Sequence, residues 1–274
     1  MKNLKIAAIA FFTLFFIVNG LPAQSRTGMS LSGATGLYSI PSGRIGWEHS
    51  GASAFGLDLG YHTIIVDGVA THIPKVALSL FSTVELSFAF DIQPELHNTI
   101  NAFGPDNGPD FIGGIKIQLP LTRTALAIGG NYQHINMGQD NNRRSAGQVY
   151  IAATYAGHFF DMPAETTIVI GRTFIQGHSN SNIDFGMGFD MILLPRVFDG
   201  LIHWITDFAN FSYSVDPFRA DAWNRGVLNT GIRFNLSTIP ALNRFRMVLD
   251  IMILDAFDQN RAFSTGLTFG VPLN

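Results

Sequence analysis

The residue pairs best placed for catalysis are His203 with Asp207, and His178 with Ser179. His203 and Asp207 are four residues apart, so on an extended strand they share a face and a carboxylate could orient an imidazole base. A triad would also need a serine, and the pattern nominates none. His178 and Ser179 lie in a run of Gly, Ser and Asn that is typical of a solvated turn. No histidine lies in an H-E-x-x-H motif and no G-x-S-x-G elbow is present, so the sequence predicts a protein that is not an enzyme, with no metal or cofactor site.

A second set of chemically active residues is charged and recurs at alternate positions within apolar segments. Its members are Asp58, Glu85, Asp91, Lys116, Asp184, Asp190, Asp207, Arg233, Arg246 and Asp250. One interpretation is a water-filled path with a mild preference for cations, because rings of carboxylates concentrate cations. The other is that the acids pair with Lys and Arg and seal an interior. The sequence favours neither.

The segments that carry these charges alternate with a period of two. In residues 183–191, Ile, Phe, Met, Phe and Met alternate with Asp, Gly, Gly and Asp. Successive strand residues point to opposite faces, so one face is wholly apolar and the other is small or charged. A half-buried strand of a soluble sheet would alternate similarly, but these segments run to about 10 to 13 residues, the length of a tilted membrane strand.

The sequence therefore predicts an all-β protein, an antiparallel transmembrane barrel of about twelve strands, with ten or fourteen as alternatives. The predicted strands are 53–66, 69–80, 84–93, 111–120, 123–135, 147–158, 165–175, 183–194, 201–215, 227–237, 245–257 and 262–273. Short turns alternate with longer polar connections at 94–110, 136–146 and 216–226. An even number of strands puts both termini in the periplasm, as in single-chain bacterial barrels.

Composition and the N-terminus agree with export to an outer membrane. Only 14% of residues are charged, whereas Gly (28) and Phe (24) are abundant, and a net charge of −3 gives no basic field for nucleic acid. Lys2 and Lys5 precede a short apolar run that ends before Ala23, which predicts a signal peptide over residues 1–23. The run is too short for an anchor helix. The absence of cysteine excludes disulfides, thiolate metal sites and lipid anchoring through a cysteine.

Residues 24–52 precede the predicted barrel, 53–274, and are Gly-rich without clear periodicity. Three positions are compatible with this pattern: inside the lumen as a plug, in the periplasm, or paired as an additional hairpin. Within the segment, residues 33–44 read Gly-Ala-Thr-Gly-Leu-Tyr-Ser-Ile-Pro-Ser-Gly-Arg. This resembles the T-G-L-x-x-x-P-[ST]-[AG]-R opening of YjbH-like outer membrane proteins, and the resemblance extends over residues 33–92. It implies a β-barrel associated with exopolysaccharide export.

The last predicted strand resembles the carboxy-terminal signal read by the barrel-assembly machinery, through Ser264, Gly266, Phe269 and Val271, although the chain continues to Asn274. The predicted partners are therefore outer-membrane lipid, that machinery and small polar solutes. The predicted function is a porin-like channel of the outer membrane. The alternatives are a closed structural or surface-interaction barrel, an accessory to polysaccharide export, and a soluble secreted sandwich.

Overall fold

The structure is a closed antiparallel β-barrel. The computed structural model describes residues 27–47, 55–66, 69–91, 110–121, 124–136, 143–176, 183–210, 226–257 and 261–273. The predicted signal peptide therefore lies outside the described residues, as do most of the three long connections and His178 with Ser179.

Twelve long strands form the barrel, which confirms the predicted fold and strand number. They are β3 (Phe55–Val66), β4 (Val69–Leu80), β5 (Val84–Asp91), β6 (Asp110–Pro120), β7 (Thr124–Asn136), β8 (Arg143–Phe159), β9 (Met162–Ile175), β10 (Asp184–Ile192), β11 (Ile202–Ala209), β12 (Val227–Asn235), β13 (Arg246–Leu254) and β14 (Ala262–Leu273). Each strand pairs with the next, and β14 pairs with β3, for example Leu267 with Tyr61. This last pairing removes the sheet edges, so every strand backbone has a partner on both sides.

The two ends of the barrel differ. At the end that holds both barrel termini, the strands are joined by the short connections 81–83, 121–123, 160–161, 193–201 and 236–245. The connection at 193–201 contains one helical turn, α1 (Pro195–Phe198), and that at 236–245 a 3-10 turn (Leu236–Thr238). In outer-membrane barrels the short turns and both termini face the periplasm. We call this end the periplasmic end and the opposite one the loop end.

The outer face is apolar and exposed. Side chains such as Leu59 (51% exposed), Ile128 (55%), Val149 (57%) and Ile151 (52%) point away from the lumen. A soluble protein rarely leaves a continuous apolar surface of this kind in water. We call this surface the lipid-facing belt, because acyl chains are the surroundings in which it is stable. No helix among the described residues is long and apolar enough to span a membrane.

The apolar–polar alternation of the sequence is irregular in three places, on β9, on β13 and near Asn210. Arg172 on β9 lies on the outer side with Ile170, and its guanidinium stacks over the ring of Phe174 at 5.3 Å. On β13, which is apolar on both faces apart from its charges, Arg246 and Asp250 point inward and Ile251 outward. The outward apolar set of the sequence shifts by one residue between Phe208 and Phe211, which predicts a bulge near Asn210, and residues 211–225 lie outside the described part of the chain.

Residues 27–47, which we call the lumenal segment, lie inside the barrel. They form a small hairpin of β1 (Gly28–Met29) and β2 (Thr35–Gly36), followed by a compact return. Almost every residue from Thr27 to Gly43 is buried, and the segment contacts inward-facing side chains of β3, β4, β5, β6, β8, β9, β11 and β13. Because the segment contacts strands all around the circumference, it lies in the lumen and the wall surrounds it.

Candidate functional site

The inner wall of the barrel is the candidate site. Nine of the ten charged residues singled out from the sequence are buried on it, each with at most 4% of its surface exposed: Asp58, Glu85, Lys116, Asp184, Asp190, Asp207, Arg233, Arg246 and Asp250. The tenth, Asp91, is the last residue of β5 and pairs with Asp110 in the backbone ladder, but its side chain lies outside the described residues. Strand alternation explains the burial, since these residues alternate along their strands with outward-facing neighbours, most of which are apolar.

Arg233 on β12 is the centre of the largest ionic network. Its guanidinium donates two hydrogen bonds to Asp250 on β13, at 2.8 Å and 2.9 Å, and a third to Asp190 on β10 at 2.9 Å. Asp190 also bonds the ring of His203 on β11, with 2.5 Å between the heavy atoms. Fork-shaped pairing of this kind is the geometry in which arginine binds carboxylates best. The network ties four neighbouring strands together on the lumen side.

Glu85 on β5 and Lys116 on β6 form a second pair, and the lumenal segment completes it. The Lys116 ammonium lies 3.0 Å from Glu85 and donates to the carbonyl of Thr35 at 2.9 Å. Thr35 in turn donates to Glu85 from its backbone N–H (2.8 Å) and its hydroxyl (2.5 Å). The backbone N–H of Gly46, near the other end of the segment, reaches the same carboxylate at 3.1 Å. One wall carboxylate thus holds two distant parts of the segment.

The segment enters and leaves beside a third pair. Arg246 on β13 lies 2.7 Å from Asp58 on β3 and donates to the carbonyls of Thr27 and Gly28. At the exit, the indole of Trp47 donates to Asp58 at 3.2 Å. Both ends of the segment are therefore at the periplasmic end, near the first residues of β3 and β13.

Between these ends the segment rises to Asp207 on β11 and returns. Ser39 donates to Asp207 from its backbone N–H (2.6 Å) and its hydroxyl (2.9 Å), and Asn229 on β12 adds a third bond at 2.9 Å. On the return, Gly43 donates to the Thr154 hydroxyl (2.9 Å) and Arg44 pairs with Glu165 at 2.7 Å. These bonds satisfy backbone groups that no strand partner satisfies.

Glycines make room for the segment at its closest approaches to the wall. A Cβ at Gly188 on β10 would lie 2.6 Å from Leu37, and one at Gly60 on β3 would lie 2.8 Å from the sulfur of Met29. In the segment itself, a Cβ at Gly43 would overlap the carbonyl oxygen of Ala125 on β7. Shape as well as hydrogen bonding therefore seats the segment.

Asp184 belongs to a separate polar cluster nearer the loop end. It accepts from Gln148 on β8 at 2.6 Å and from Thr173 on β9 at 2.5 Å, while Asn131 on β7 donates to Gln148 at 3.3 Å. No hydrogen bond among the described residues joins this cluster to the lumenal segment. The polar wall thus extends beyond the part that the segment covers.

The structure does not assemble the histidine and aspartate considered from the sequence. His203 bonds Asp190, whereas Asp207 bonds the lumenal segment and Asn229. The barrel sets β10 beside β11, and that adjacency gives His203 a carboxylate partner on the neighbouring strand. Among the described residues no cluster of three or more metal-ligating side chains occurs.

Sequence reasoning missed three further charged or titratable residues on the inner wall, His62, Lys75 and Glu165, and also Arg44 of the lumenal segment. Lys75 donates to the carbonyl of Ser30 at 2.7 Å. Lys75 alternates with the apolar neighbours Pro74 and Val76 on β4, and this alternation was the signal that would have found it. Neither ring nitrogen of His62 has a hydrogen-bond partner among the described residues, although Asp250 lies 4.0 Å away.

Comparisons with known proteins concern only structure, since no family model and no curated protein matches the chain. The KdgM porin aligns over 77% of this chain and 98% of its own, with a TM-score of 0.49 and 5% identity. The outer membrane protein Omp33 of Acinetobacter baumannii aligns over 80% of this chain and 98% of its own, with a TM-score of 0.42 and 12% identity. The translocator domain of the autotransporter NalP from Neisseria meningitidis aligns over 82% and 90%, with a TM-score of 0.33 and 8% identity.

Proposed function

We propose that this outer-membrane β-barrel is a porin-like channel for small polar solutes, and that its own lumenal segment closes it. The observation that carries the proposal is the way the segment is held: by hydrogen bonds and ion pairs to a polar wall. Thr35 bonds Glu85 and Lys116, and Ser39 bonds Asp207. Water can take the place of the segment in each of these bonds, so a polar wall that binds the segment also tolerates a water-filled lumen.

The connections of the segment agree with a removable closure. Both of its ends lie at the periplasmic end, beside Asp58 and Arg246, so it can leave without passing through the barrel. Its only covalent link to the wall is the stretch 48–54 before β3. A chain inserted from one side in this way can withdraw while all twelve strand pairings persist.

Among the described residues, the inner wall carries more carboxylates than cations: Asp58, Glu85, Glu165, Asp184, Asp190, Asp207 and Asp250 against Lys75, Lys116, Arg233 and Arg246. On withdrawal of the segment, Asp207 would lose Ser39, and Glu85 would lose Thr35 and Gly46. Glu165 would lose Arg44. Local excess of carboxylates along a narrow path favours cations, so the open channel is expected to be mildly cation-selective.

A wedge variant tests the proposal without changing the wall. Gly43→Leu places a side chain where a Cβ already overlaps Ala125, so the return of the segment is forced off β7. Gly147→Leu is the matched control, because nothing lies within 4 Å of a Cβ at Gly147. Refolded protein starting at Gln24 is inserted in planar bilayers, with heat-modifiable gel migration as the check that the barrel has formed.

We expect the parent and Gly147→Leu to be closed for most of the recording, and Gly43→Leu to open at least about ten times as often, which corresponds to weakening the closed state by about 1.4 kcal/mol. In a salt gradient the reversal potential of the open channel should favour cations. A third form lacks residues 27–47, so it shows the conductance of the barrel even if the substitution does not displace the whole segment. If all forms fold and none conducts, the channel proposal is overturned.

That outcome would favour the second candidate, a closed barrel whose loops bind partners at the cell surface. The complete burial of the Arg233 network supports this candidate, since such ion pairs join the wall to itself without the lumenal segment. Deleting the loops at 94–110, 136–146 or 216–226 would then abolish binding while the barrel still forms.

Two narrower proposals follow from the sequence resemblances. A role beside exopolysaccharide export is supported by the resemblance to YjbH-like proteins, whose quoted motif coincides here with residues 35–44 of the lumenal segment. Loss of extracellular polymer on deletion of the gene is the test.

Export through the signal peptide 1–23, followed by insertion by the barrel-assembly machinery, is supported by β14, which closes the barrel. Accumulation of unfolded chain on depletion of that machinery is the test.

A further inference from the structure

The periplasmic turns carry exposed apolar side chains at their tips. Those among the described residues are Phe81 (67% exposed), Leu121 (54%), Phe160 (92%), Leu194 (56%), Val197 (69%), Phe198 (36%) and Ile239 (39%). Each of the five short connections contributes at least one of them. We call these side chains the apolar rim. Turn tips in water usually carry Gly, Asn, Asp or Ser, so the rim needs a physical reason.

Backbone conformation makes the choice of residues more unusual. Phe81, Phe160 and Leu194 have positive φ angles of 52°, 47° and 43°. Bulky side chains seldom adopt this left-handed region, and tight hairpin turns normally fill it with Gly or Asn. A large apolar side chain at three such positions indicates that its contact with the surroundings offsets the conformational cost.

The rim surrounds the barrel on all sides. The five turns follow one another around the circumference, and the sixth position is taken by the start of β3 and the end of β14, where Phe55 (37% exposed) and Leu273 (38%) are also apolar. A protein partner would cover one sector of this ring. Lipid covers the whole circumference, so the distribution favours lipid.

The rim is continuous with the lipid-facing belt. The ring of Phe81 lies 5.0 Å from that of Phe55 at the lower edge of the belt. Phe159, next to the tip at Phe160, lies 5.9 Å from Phe189, which lies 5.1 Å from Trp204 on the outer face. The loop end is mixed: some of its strands end at polar residues such as Asp91 and Asp184, whereas Ile183 (66% exposed) and Phe257 (84%) are exposed apolar side chains there.

We propose that the apolar rim is inserted in the inner leaflet of the outer membrane, so that the acyl chains of phospholipids cover the periplasmic turns. Aromatic and aliphatic side chains gain free energy from this interfacial region, which would fix the depth and tilt of the barrel. The periplasmic mouth of the lumen would then open at the level of the headgroups. The Ser82 hydroxyl donates a hydrogen bond to the carbonyl of Trp47 at 3.2 Å beside this mouth.

The test uses the absence of cysteine from the chain. Single variants Phe81→Cys, Phe160→Cys and Val197→Cys are labelled with a fluorescent maleimide and reconstituted in vesicles of phosphatidylethanolamine and phosphatidylglycerol. Quenching by a doxyl-labelled phospholipid reports contact with lipid, and quenching by iodide reports contact with water. Val149→Cys on the belt gives the lipid reference, and the same labelled chains unfolded in urea give the water reference.

For all three labelled tips, we expect the quenching by doxyl lipid and the quenching by iodide each to be more than halfway from the value of the water reference to that of the lipid reference. The vesicles contain no other protein, so protection from iodide there comes from lipid. Tips that lie less than halfway overturn the proposal and point instead to water or to a partner protein absent from the vesicles. Because the labelled positions are exposed, the barrel should form in each variant, and heat-modifiable migration verifies it.

Discussion

The inner wall and the lipid-facing belt of this barrel are built from opposite kinds of side chain. On the inner wall, Arg233 is 0% exposed and Asp250 is 1% exposed, whereas Val149 and Ile151 on the belt are 57% and 52% exposed. Strand alternation brings both kinds within one strand, since Tyr150, between the two belt residues, is 3% exposed.

This difference shows where the stability of the molecule comes from. In a soluble protein the buried side is apolar, and burial from water supplies most of the favourable free energy. Here the apolar side gains its free energy from lipid, and the buried side is held by charge pairing and hydrogen bonds with the lumenal segment. A charge lost from the inside and a charge gained on the outside should therefore both be costly, for different reasons.

The largest effect is expected from removing the central cation of the inner wall. Arg233→Met leaves Asp190 and Asp250 buried without their guanidinium, and breaking a buried pair in this way costs about 3–5 kcal/mol. Urea unfolding in phospholipid vesicles, followed by tryptophan fluorescence, measures the loss. Adding Asp190→Asn and Asp250→Asn to the same chain should recover a large part of it. Full stability of Arg233→Met alone would mean that water reaches the network.

A slightly smaller effect is expected from placing a charge on the belt. Ile151 pairs with Ile128 in the middle of the sheet, so Ile151→Arg exposes a guanidinium to the hydrocarbon at a cost of about 2–4 kcal/mol. Ile151→Leu is the matched control and should unfold like the parent. If Ile151→Arg unfolded like the parent too, this face would not be in contact with lipid.

The next effect concerns the lumenal segment. Thr35→Val removes one hydroxyl bond to Glu85 but keeps the backbone bond, and a hydrogen bond to a charged group contributes about 1.5–3 kcal/mol. We expect the free energy of unfolding to fall by an amount in that range, and the channel to open more often. Thr265→Val on the outer face is the matched control. Equal effects of the two substitutions would indicate that Thr35 is not seated against Glu85.

The smallest effect is expected at a charge that already lies outside. Arg172 stacks over Phe174 on the exposed side of β9. Arg172→Gln removes this cation–π contact, at a cost of about 0.5–1 kcal/mol. The same unfolding assay measures it, and Arg172→Lys, which keeps the charge, should lose less. A loss as large as that of Arg233→Met would contradict the contrast between the two faces.

Much of the barrel could be predicted from the sequence, because alternation is local. The bounds predicted for β4 and β14 coincide with those observed, and β3 and β7 differ by at most two residues at either end. A period of two fixes which residues share a face, so the inward side chains could be singled out without knowing the topology. The predicted strand at 147–158 was too short, because β8 begins at Arg143, in a stretch with no apolar alternation.

The partners of the inward residues could not be predicted in the same way. Arg246 pairs with Asp58, which is 188 residues away, and this contact exists only because β14 closes against β3. The position of the lumenal segment was also beyond the pattern. Its contacts are backbone bonds from residues such as Thr35, Ser39 and Gly43 to side chains on strands distant in sequence, and local periodicity carries no signal for them.

The central claim, that residues 27–47 fill the lumen until they are displaced, is tested most directly by chemical access to Ala34, which is 1% exposed. Ala34→Cys is reacted with a water-soluble maleimide in reconstituted barrels, alone and combined with Gly43→Leu. Labelling of the single variant should be at least about 100 times slower than in the urea-unfolded chain, because it requires opening of the segment, and the added wedge should accelerate it. Labelling of folded Ala34→Cys at the rate of the unfolded chain would contradict the account.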